Sequence, residues 1–432
     1  MKYFILILAI MSLFFLNIKA QEIKKENTED AWKFTGQAQI RPELDGRDFS
    51  NKTYPLTYTT ARFRLGVEKN IMENISFMIQ AQDGRVWGQE LSPSNNISNI
   101  DLYQGYVKIN NLFGQPIYAQ AGRFEVSYSD QRIFGSSQWS LYSRAWDGLR
   151  LGYSTKDAKV DVFALTNSSS MPQINKVLPV SYSYPASMDS SFNVYGFYSQ
   201  WQLMEGQNLD IYGYYDINKK MSNKTDADLA RYTTGARYQI SNDNFFGVGE
   251  FAYQFGDSAK RKVGAYLALV SIGYNMAPFK ISINMDMQSG TKSGDTTYNM
   301  FDASYSTKHS INGYMDYFTD MKNSTKNLGL NDFFLKIAYE QKDFPVLGEL
   351  TGHYFMSNKP LPTTTGDVSA FGQEIDLVLR YKMNKSVTLE WGGCIFLQGD
   401  LMKELYKSTV KTVVTYRDDP AFWSYVMLRL NI

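Results

Sequence analysis

The sequence predicts an all-β fold, a transmembrane antiparallel β-barrel of 18 strands with short periplasmic turns and long extracellular loops. Three observations support this prediction. Apolar and polar residues alternate along many segments, these segments are about 10–13 residues long, and short and long connections follow each other in turn. Aromatic residues make up 15% of the chain, including 31 tyrosines. Tyr and Trp near strand ends are typical of the interfacial girdles of membrane barrels.

Strict alternation defines the predicted strands. The segment "FKISINMDMQ" (Phe279–Gln288) alternates apolar and polar residues at every position, and "RYTTGARYQI" (231–240) and "TARFRLGVEK" (60–69) follow the same pattern. Such alternation produces a strand with one apolar and one polar face. Soluble strands usually run nearer five or six residues, whereas tilted transmembrane strands need about 9–11. The length of the segments therefore favours a membrane barrel over a soluble sandwich.

The connections between these segments fall into two groups. Short turns are predicted at 69–74, 110–114, 241–244, 275–278 and 382–386, and long polar loops at 167–190, 289–327, 357–370 and 399–419. The predicted strand centres are Gln37, Arg64, Ile79, Tyr106, Ala119, Leu149, Val162, Phe197, Tyr212, Ala236, Phe251, Ala268, Ile283, Leu335, Thr351, Leu377, Leu389 and Met427. The strands near Val162, Tyr212 and Leu335 have the weakest patterns, which leaves 16 strands as the alternative.

The first twenty residues have the pattern of a secretory signal peptide. Lys2 is followed by an apolar run over 3–16, and the small residue Ala20 precedes Gln21. We therefore expect a signal peptide at 1–20, a short periplasmic segment at 21–30 and a barrel over 31–432. Export by this peptide predicts a place in the outer membrane of a Gram-negative cell.

Composition excludes several classes of function. The formal net charge of +1 argues against a nucleic-acid partner, and Cys394 as the single cysteine cannot form an internal disulfide. The two histidines, His309 and His353, lack partners at metal-ligand spacing, so we expect neither a metal nor another cofactor. A hydrolase using His353 beside Glu349 and Thr351 is an alternative, but no nucleophile elbow accompanies it, and no enzyme is predicted.

Alternation also assigns residues to the lumen, because the polar face of a membrane barrel points inward. Arg62 and Arg64 occupy successive inward positions of the second strand, and Lys108 lies on the fourth. An arginine facing lipid at the bilayer midplane costs roughly 2–4 kcal/mol, so these charges are expected to face water or acidic partners. The candidate pore-lining or anion-binding residues are Arg62, Arg64, Asp83, Arg85, Lys108, Arg123, Arg132, Asp147 and Arg150. They could form structural ion pairs or favour anions in the pore.

Five motifs follow one another between residues 61 and 151: "ARFRLGVE", "QAQDGRVWG", "IDLYQGYV", "AGRFEVSYSDQRIFGSSQW" and "AWDGLRL". Their order resembles the alginate-export family of outer-membrane proteins. The resemblance implies an 18-stranded barrel with an arginine-rich pore that passes an anionic polysaccharide outward. By motif, it implies pore-lining roles for Arg64, Asp83, Arg85, Arg123, Arg132, Asp147 and Arg150. The chain departs from many barrels in ending on Ile432 rather than on an aromatic residue.

These observations predict a channel or porin with an arginine-lined lumen for diffusion or export of anionic solutes, an anionic polysaccharide among them. The expected partners are outer-membrane lipid and lipopolysaccharide, an anionic sugar or polysaccharide, and periplasmic export proteins. The alternative is a non-conducting structural or adhesion barrel whose lumen is closed by salt bridges. The identity of the solute and the direction of its transport stay open at this point.

Overall fold

The computed structural model describes residues 32–89, 99–168, 190–220, 229–258, 261–309, 311–341, 344–410, 413–415 and 417–432. Eighteen long strands form its framework. In chain order they are β1 (Lys33–Gly46), β2 (Leu56–Met72), β3 (Ile75–Val86), β4 (Ile100–Ile109), β5 (Ile117–Phe124), β6 (Trp146–Ser154), β7 (Ala158–Ser168), β8 (Ser190–Met204), β9 (Gln207–Lys220), β10 (Leu229–Ser241), β11 (Phe245–Ser258), β12 (Arg261–Met276), β13 (Phe279–Gln288), β14 (Leu330–Tyr339), β15 (Val346–Thr363), β16 (Gly366–Lys382), β17 (Val387–Gln398) and β18 (Ala421–Asn431).

The strands form one closed antiparallel barrel. Each long strand pairs with its neighbours in sequence, and β1 also pairs with β18, where Gln37 lies opposite Asn431 and Gly46 opposite Phe422. Ile432 continues this seam, because its backbone exchanges hydrogen bonds with Gly36 at 2.8 and 3.1 Å. All 18 predicted strand centres lie within these strands, including the three with the weakest patterns. The alternative of 16 strands is therefore wrong.

The strands alternate between a polar inner face and an apolar outer face. In β13, Ser282, Asn284 and Asp286 are buried, whereas the intervening Ile283 is 72% exposed. Large exposed apolar side chains continue around the outside of the barrel, among them Leu65, Ile79, Leu149, Phe197, Phe251, Ile272, Leu335, Ile375 and Leu428. An apolar outer band around a polar interior is the arrangement expected of a barrel that spans a membrane.

Short and long connections lie on opposite rims. All five predicted short turns join adjacent strands on one rim, which we call the turn rim. The start of β1 and the end of β18 lie on this rim as well. The other rim, the loop rim, carries the long connections 125–145, 289–329 and 399–420. Most of the predicted loop at 167–190 lies outside the described residues.

The predicted long loop at 357–370 is wrong. β15 extends to Thr363 and β16 begins at Gly366, so this segment is a long hairpin with its tip at Thr364–Thr365. The register shifts twice next to Met356, and pairing then resumes. Proline and polar residues suggested a loop, but they occur here because the end of the hairpin extends beyond the barrel and is largely exposed.

The interior is occupied by two of the long connections rather than by a separate domain. The 125–145 loop and the 289–329 loop supply aromatic side chains that pack against inward-facing residues of the wall. Phe134 and Tyr305, one from each loop, stack with ring centroids 5.5 Å apart. The helices are short, α1 (Met321–Ser324) within the second loop and α2 (Asp400–Tyr406) after β17. Across the described ranges, no helix is long and apolar enough to cross a membrane.

Candidate functional site: a lumen filled by two inward loops

The two inward loops are joined by backbone hydrogen bonds. The Gly135 N–H donates to the Tyr305 carbonyl at 2.8 Å, and the Thr307 N–H donates to the Gln131 carbonyl at 2.9 Å. Arg144 adds side-chain hydrogen bonds to carbonyl oxygens of the 289–329 loop, including that of Ser304 at 2.9 Å. Burial lowers the pKa of Arg144 from its ordinary value, although an arginine remains protonated in proteins. The loops therefore act as one body inside the barrel.

The 289–329 loop is fixed to the barrel wall by charged groups. Arg231 of β10 forms an ion pair of 2.8 Å with Asp302. Burial favours a higher pKa for Asp302, but Arg231 and hydrogen bonds from Ser304 outweigh burial and lower the pKa to about 2. Asp302 is therefore ionised at neutral pH, and this attachment persists throughout the physiological range.

A second attachment uses backbone N–H groups of the same loop. The Met315 N–H donates to Glu374 at 2.8 Å and the Tyr314 N–H donates to Asp376 at 3.3 Å. Both carboxylates lie on β16 and are 1% exposed. A buried carboxylate is costly unless it accepts hydrogen bonds, so these contacts stabilise the inward position of the loop.

Gly313 is required for this attachment, since its φ is +82° and an added Cβ would lie 2.6 Å from Glu374 Oε1. We expect Gly313→Val to push the loop away from the wall, with faster proteolysis within 289–329 and larger fluctuations of single-channel current. Gly294→Val is the matched control, because Gly294 lies in the same loop at φ +91° with open space around it. Equal proteolysis of the two variants would contradict the proposed attachment.

The 125–145 loop is fixed by luminal arginines. Arg62, 1% exposed, donates to the Ser140 carbonyl at 2.6 Å and to Ser143 Oγ at 2.8 Å. Arg64 donates to Gln138 Oε1 at 2.8 Å and lies 3.7 Å from the centroid of the Tyr103 ring. Both arginines were predicted to line the pore. The structure places them in the lumen with their guanidinium groups directed at the loop.

Three more of the predicted residues lie on the inner side. Arg132, on the 125–145 loop, is buried and forms an ion pair with Asp286. Lys108 Nζ lies 4.4 Å from the centroid of the Tyr118 ring. Arg150 donates to Gln120 at 2.5 Å and lies 3.8 Å from Asp161.

The other four predicted residues face outward, which corrects their assignment to the lumen. Asp83 and Arg85 form an ion pair of 2.5 Å near the loop rim, and Asp83 is paired across the strands with the outward-facing Phe63. Arg123 and Asp147 form a second ion pair of 2.7 Å. The physical reason is the alternation of β3, β5 and β6, in which successive side chains point to opposite faces. The sequence neighbours of these residues are buried inside the barrel, namely Gln82, Phe124 and Trp146, so the four charged residues point outward.

Several inward-facing charges were not selected from the sequence. Arg429 of β18 was missed, although it continues the inward series of Trp423, Tyr425 and Met427. Its Nε has no hydrogen-bond partner in the described part of the chain. Strict alternation along this strand is the signal in the sequence that identifies Arg429 as inward-facing. Other inward charges outside the candidate set include Glu43, Lys159, Asp161, Asp210, Asp216, Glu250, Asp332, Glu374, Asp376, Arg380 and Glu390. Alternation in the sequence does place Arg41, Arg231, Arg237 and Asp286 on the polar faces of their strands.

His353, considered above as a catalytic residue, belongs to the wall. It is 8% exposed, contacts Asp332 at 2.9 Å, and its ring stacks on Phe355 with centroids 5.1 Å apart. These contacts hold the imidazole against the barrel wall, which is a structural role. Within the described ranges, no group of histidine, cysteine and carboxylate side chains has the arrangement of a metal site.

The apolar outer band, the polar interior and the inward loops define an outer-membrane β-barrel of the porin type. Residues 31–333 match the model of the family described as Alginate export, and the chain belongs to this family. Membership places the chain among channels rather than enzymes and implies an environment of outer-membrane lipid and lipopolysaccharide. With this orientation the turn rim faces the periplasm and the loop rim faces the outside.

Solved structures show the same fold at low sequence identity. Pseudomonas aeruginosa OpdO is 11% identical, with a TM-score of 0.56 over 92% of this chain and 97% of that chain. Acinetobacter baumannii OccAB1 is 10% identical, with a TM-score of 0.58 over 92% and 96%. Pseudomonas aeruginosa OccK2 (OpdF), solved in complex with glucuronate, is 10% identical, with a TM-score of 0.56 over 93% and 98%. The search of curated proteins found no match.

Proposed function

We propose that this outer-membrane channel passes anionic solutes along the basic side of its lumen. The observation that carries the proposal is the distribution of inward charge. One arc of the wall, formed by β18, β1, β2, β4 and β6, carries the basic residues Arg429, Arg41, Arg62, Arg64, Lys108 and Arg150. The opposite arc, from β7 to β17, carries most of the inward carboxylates, so a solute in the lumen meets opposite charges on opposite sides.

Part of the acidic arc is paired with arginines. Asp216 and Asp286 are at most 1% exposed, and they pair with Arg231 and Arg132 respectively. A carboxylate paired with an arginine contributes weakly to the potential in the pore. In contrast, Lys108 and Arg429 are half-buried and have no carboxylate within 4.0 Å in the part of the chain that the structure describes. Unpaired basic groups raise the local concentration of anions.

A carboxylated sugar is the solute class that fits this arc. Arginine binds carboxylates through two parallel hydrogen bonds, and a similar barrel was solved with glucuronate. Export of an extended anionic polysaccharide through the same lumen would require the 289–329 loop to move, because the two loops occupy the interior.

Neutralising the unpaired basic groups tests this proposal. We expect Lys108→Gln combined with Arg429→Gln to lower the chloride-to-potassium permeability ratio, measured from reversal potentials in planar bilayers under a KCl gradient. Lys262→Gln combined with Lys52→Gln is the control, because both residues are exposed on the loop side and away from the lumen. An unchanged ratio in the luminal double variant would contradict the proposal.

A second candidate function is a non-conducting structural barrel. The observation that favours it is the set of contacts that hold both loops inward. Under this alternative, the reconstituted barrel shows no step conductance, and loss of Arg62 or Arg64 changes stability alone. Step conductance in the wild-type barrel excludes it.

A further inference from the structure

A cleft opens on the periplasmic side of the lumen, below the inward loops. Its volume is about 600 Å³, within the range of small-molecule binding sites. Its walls come from the periplasmic ends of β7 to β10 and from the turn between β6 and β7. The tip of the 125–145 loop, Ser129 and Asp130, lies above it. None of the residues predicted from the sequence to line the pore contributes to this cleft.

The loop tip is positioned over the cleft by specific contacts. The Ser129 hydroxyl donates to Asp210, which also accepts a hydrogen bond from the Tyr198 hydroxyl at 2.9 Å. Gln200 Nε2 donates to Ser129 Oγ at 3.1 Å. The Gln131 N–H closes a turn by donating to the Tyr128 carbonyl at 2.8 Å. The upper boundary of the cleft is therefore held in place by hydrogen bonds to the barrel wall.

Arg237 supplies the second observation. Arg237 is 7% exposed and lines the cleft. Its buried Nε nevertheless has no hydrogen-bond partner in the described residues. The nearest carboxylate oxygen, Asp130 Oδ2, is 3.8 Å away, which is too long for a direct hydrogen bond. Arg237 Nη1 does donate to Gln239 at 3.1 Å. A buried guanidinium N–H without a partner is expensive, so a ligand or water oxygen is expected beside it.

The chemistry of the lining identifies the kind of ligand. Lys156, Lys159 and Arg237 are balanced by Asp130, Asp157 and Asp210, so the cleft has no excess of either charge. The amides of Gln200, Gln202, Asn208 and Gln239 add groups that both donate and accept. A balanced set of donors and acceptors matches hydroxyl groups, each of which can donate and accept, better than it matches an anion.

We propose that this cleft binds a pyranose sugar unit through its hydroxyl groups, at the entrance of the channel from the periplasm. The unit can be a free monosaccharide or one residue of a polysaccharide, since both present the same ring hydroxyls. The cleft is separate from the basic arc, and the proposal does not depend on anion preference in the lumen.

Saturation-transfer NMR titrations of the full-length barrel in detergent test the site, with glucose, glucuronate and maltohexaose as probes. We expect glucuronate to displace glucose with an affinity similar to that of glucose itself, because the hydroxyls common to both carry the contacts in this cleft. Tighter binding of maltohexaose than of glucose would indicate that the cleft binds a segment of a polysaccharide. Equal binding of the two would indicate that it binds a single sugar unit.

Two glutamines on the same rim provide the matched variants. Gln202→Leu removes an exposed amide that lines the cleft, and we expect glucose binding to weaken about fivefold, as for the loss of one hydrogen bond. Gln115→Leu removes an exposed amide outside the cleft and should leave binding unchanged. Arg237→Gln should weaken binding at least as much as Gln202→Leu.

No glucose binding, binding of glucuronate alone, or the same affinity in Gln202→Leu and Gln115→Leu would overturn the proposal. Neither glutamine substitution changes charge, so reversal potentials report separately on anion preference. A failure of the sugar site is therefore distinguishable from a failure of the proposed channel function.

Discussion

Replacing residues 303–326 with a short Gly-Ser linker is expected to raise single-channel conductance several-fold. This segment includes Tyr305, which stacks on Phe134 of the other inward loop. It also includes the backbone N–H groups that bind Glu374 and Asp376. Its removal takes away more than half of the 289–329 loop, while Asp302 stays paired with Arg231. The barrel itself should remain folded, since every pair of neighbouring strands is left intact.

A replacement at the exposed hairpin tip is the control for this experiment. Changing Thr364–Thr365 to Gly-Ser alters the loop rim outside the lumen and should leave conductance at the wild-type value. Conductance that stays at the wild-type value after replacement of 303–326 would show that the segment does not limit the flow of ions.

Arg132→Ala is expected to lower the free energy of unfolding by about 3–5 kcal/mol, as for other buried ion pairs that lose one partner. The side chain of Arg132 is 8% exposed and that of Asp286 is 1% exposed, so the variant leaves a buried carboxylate without its partner. Urea titration in detergent measures this change. Arg132→Met with Asp286→Leu should recover much of the loss, because it removes both charges.

The exposed pair of Arg123 and Asp147 provides the comparison. It has the same chemistry, but the side chains are 32% and 62% exposed. Arg123→Ala should therefore change the free energy of unfolding by at most about 1 kcal/mol. Equal losses in Arg132→Ala and Arg123→Ala would contradict the structural role given to the luminal arginine.

The strands could be predicted from the sequence because their two faces meet different solvents. Every second residue of β13 is polar, and this alternation extends over the length needed to cross a bilayer. The weaker patterns near Tyr212 and Leu335 arise where inward positions are themselves apolar or aromatic. Tyr212 is fully buried beneath the inward loops. Its ring stacks on Tyr198, which stacks on Tyr128 of the 125–145 loop, so packing against the inward loop accounts for an aromatic residue on this luminal face.

The candidate site was predicted less completely than the fold. Arg62 and Arg64 were placed inside by alternation, and the structure locates them there. Arg123 was instead chosen from its motif, and the parity of β5 turns it outward. The partners of the luminal arginines, such as the Ser140 carbonyl and Gln138, lie far along the chain. Local sequence patterns do not determine how a long loop folds back into a barrel.

The reversal potential of the wild-type barrel under a KCl gradient tests the central claim most directly. The protein is reconstituted in a planar bilayer, and the potential at zero current gives the ratio of chloride to potassium permeability. A channel in which Lys108 and Arg429 of the basic arc have no carboxylate partner among the described residues is predicted to show step conductance and to favour chloride. A potential that favours potassium, or a barrel that shows no conductance, would contradict the account.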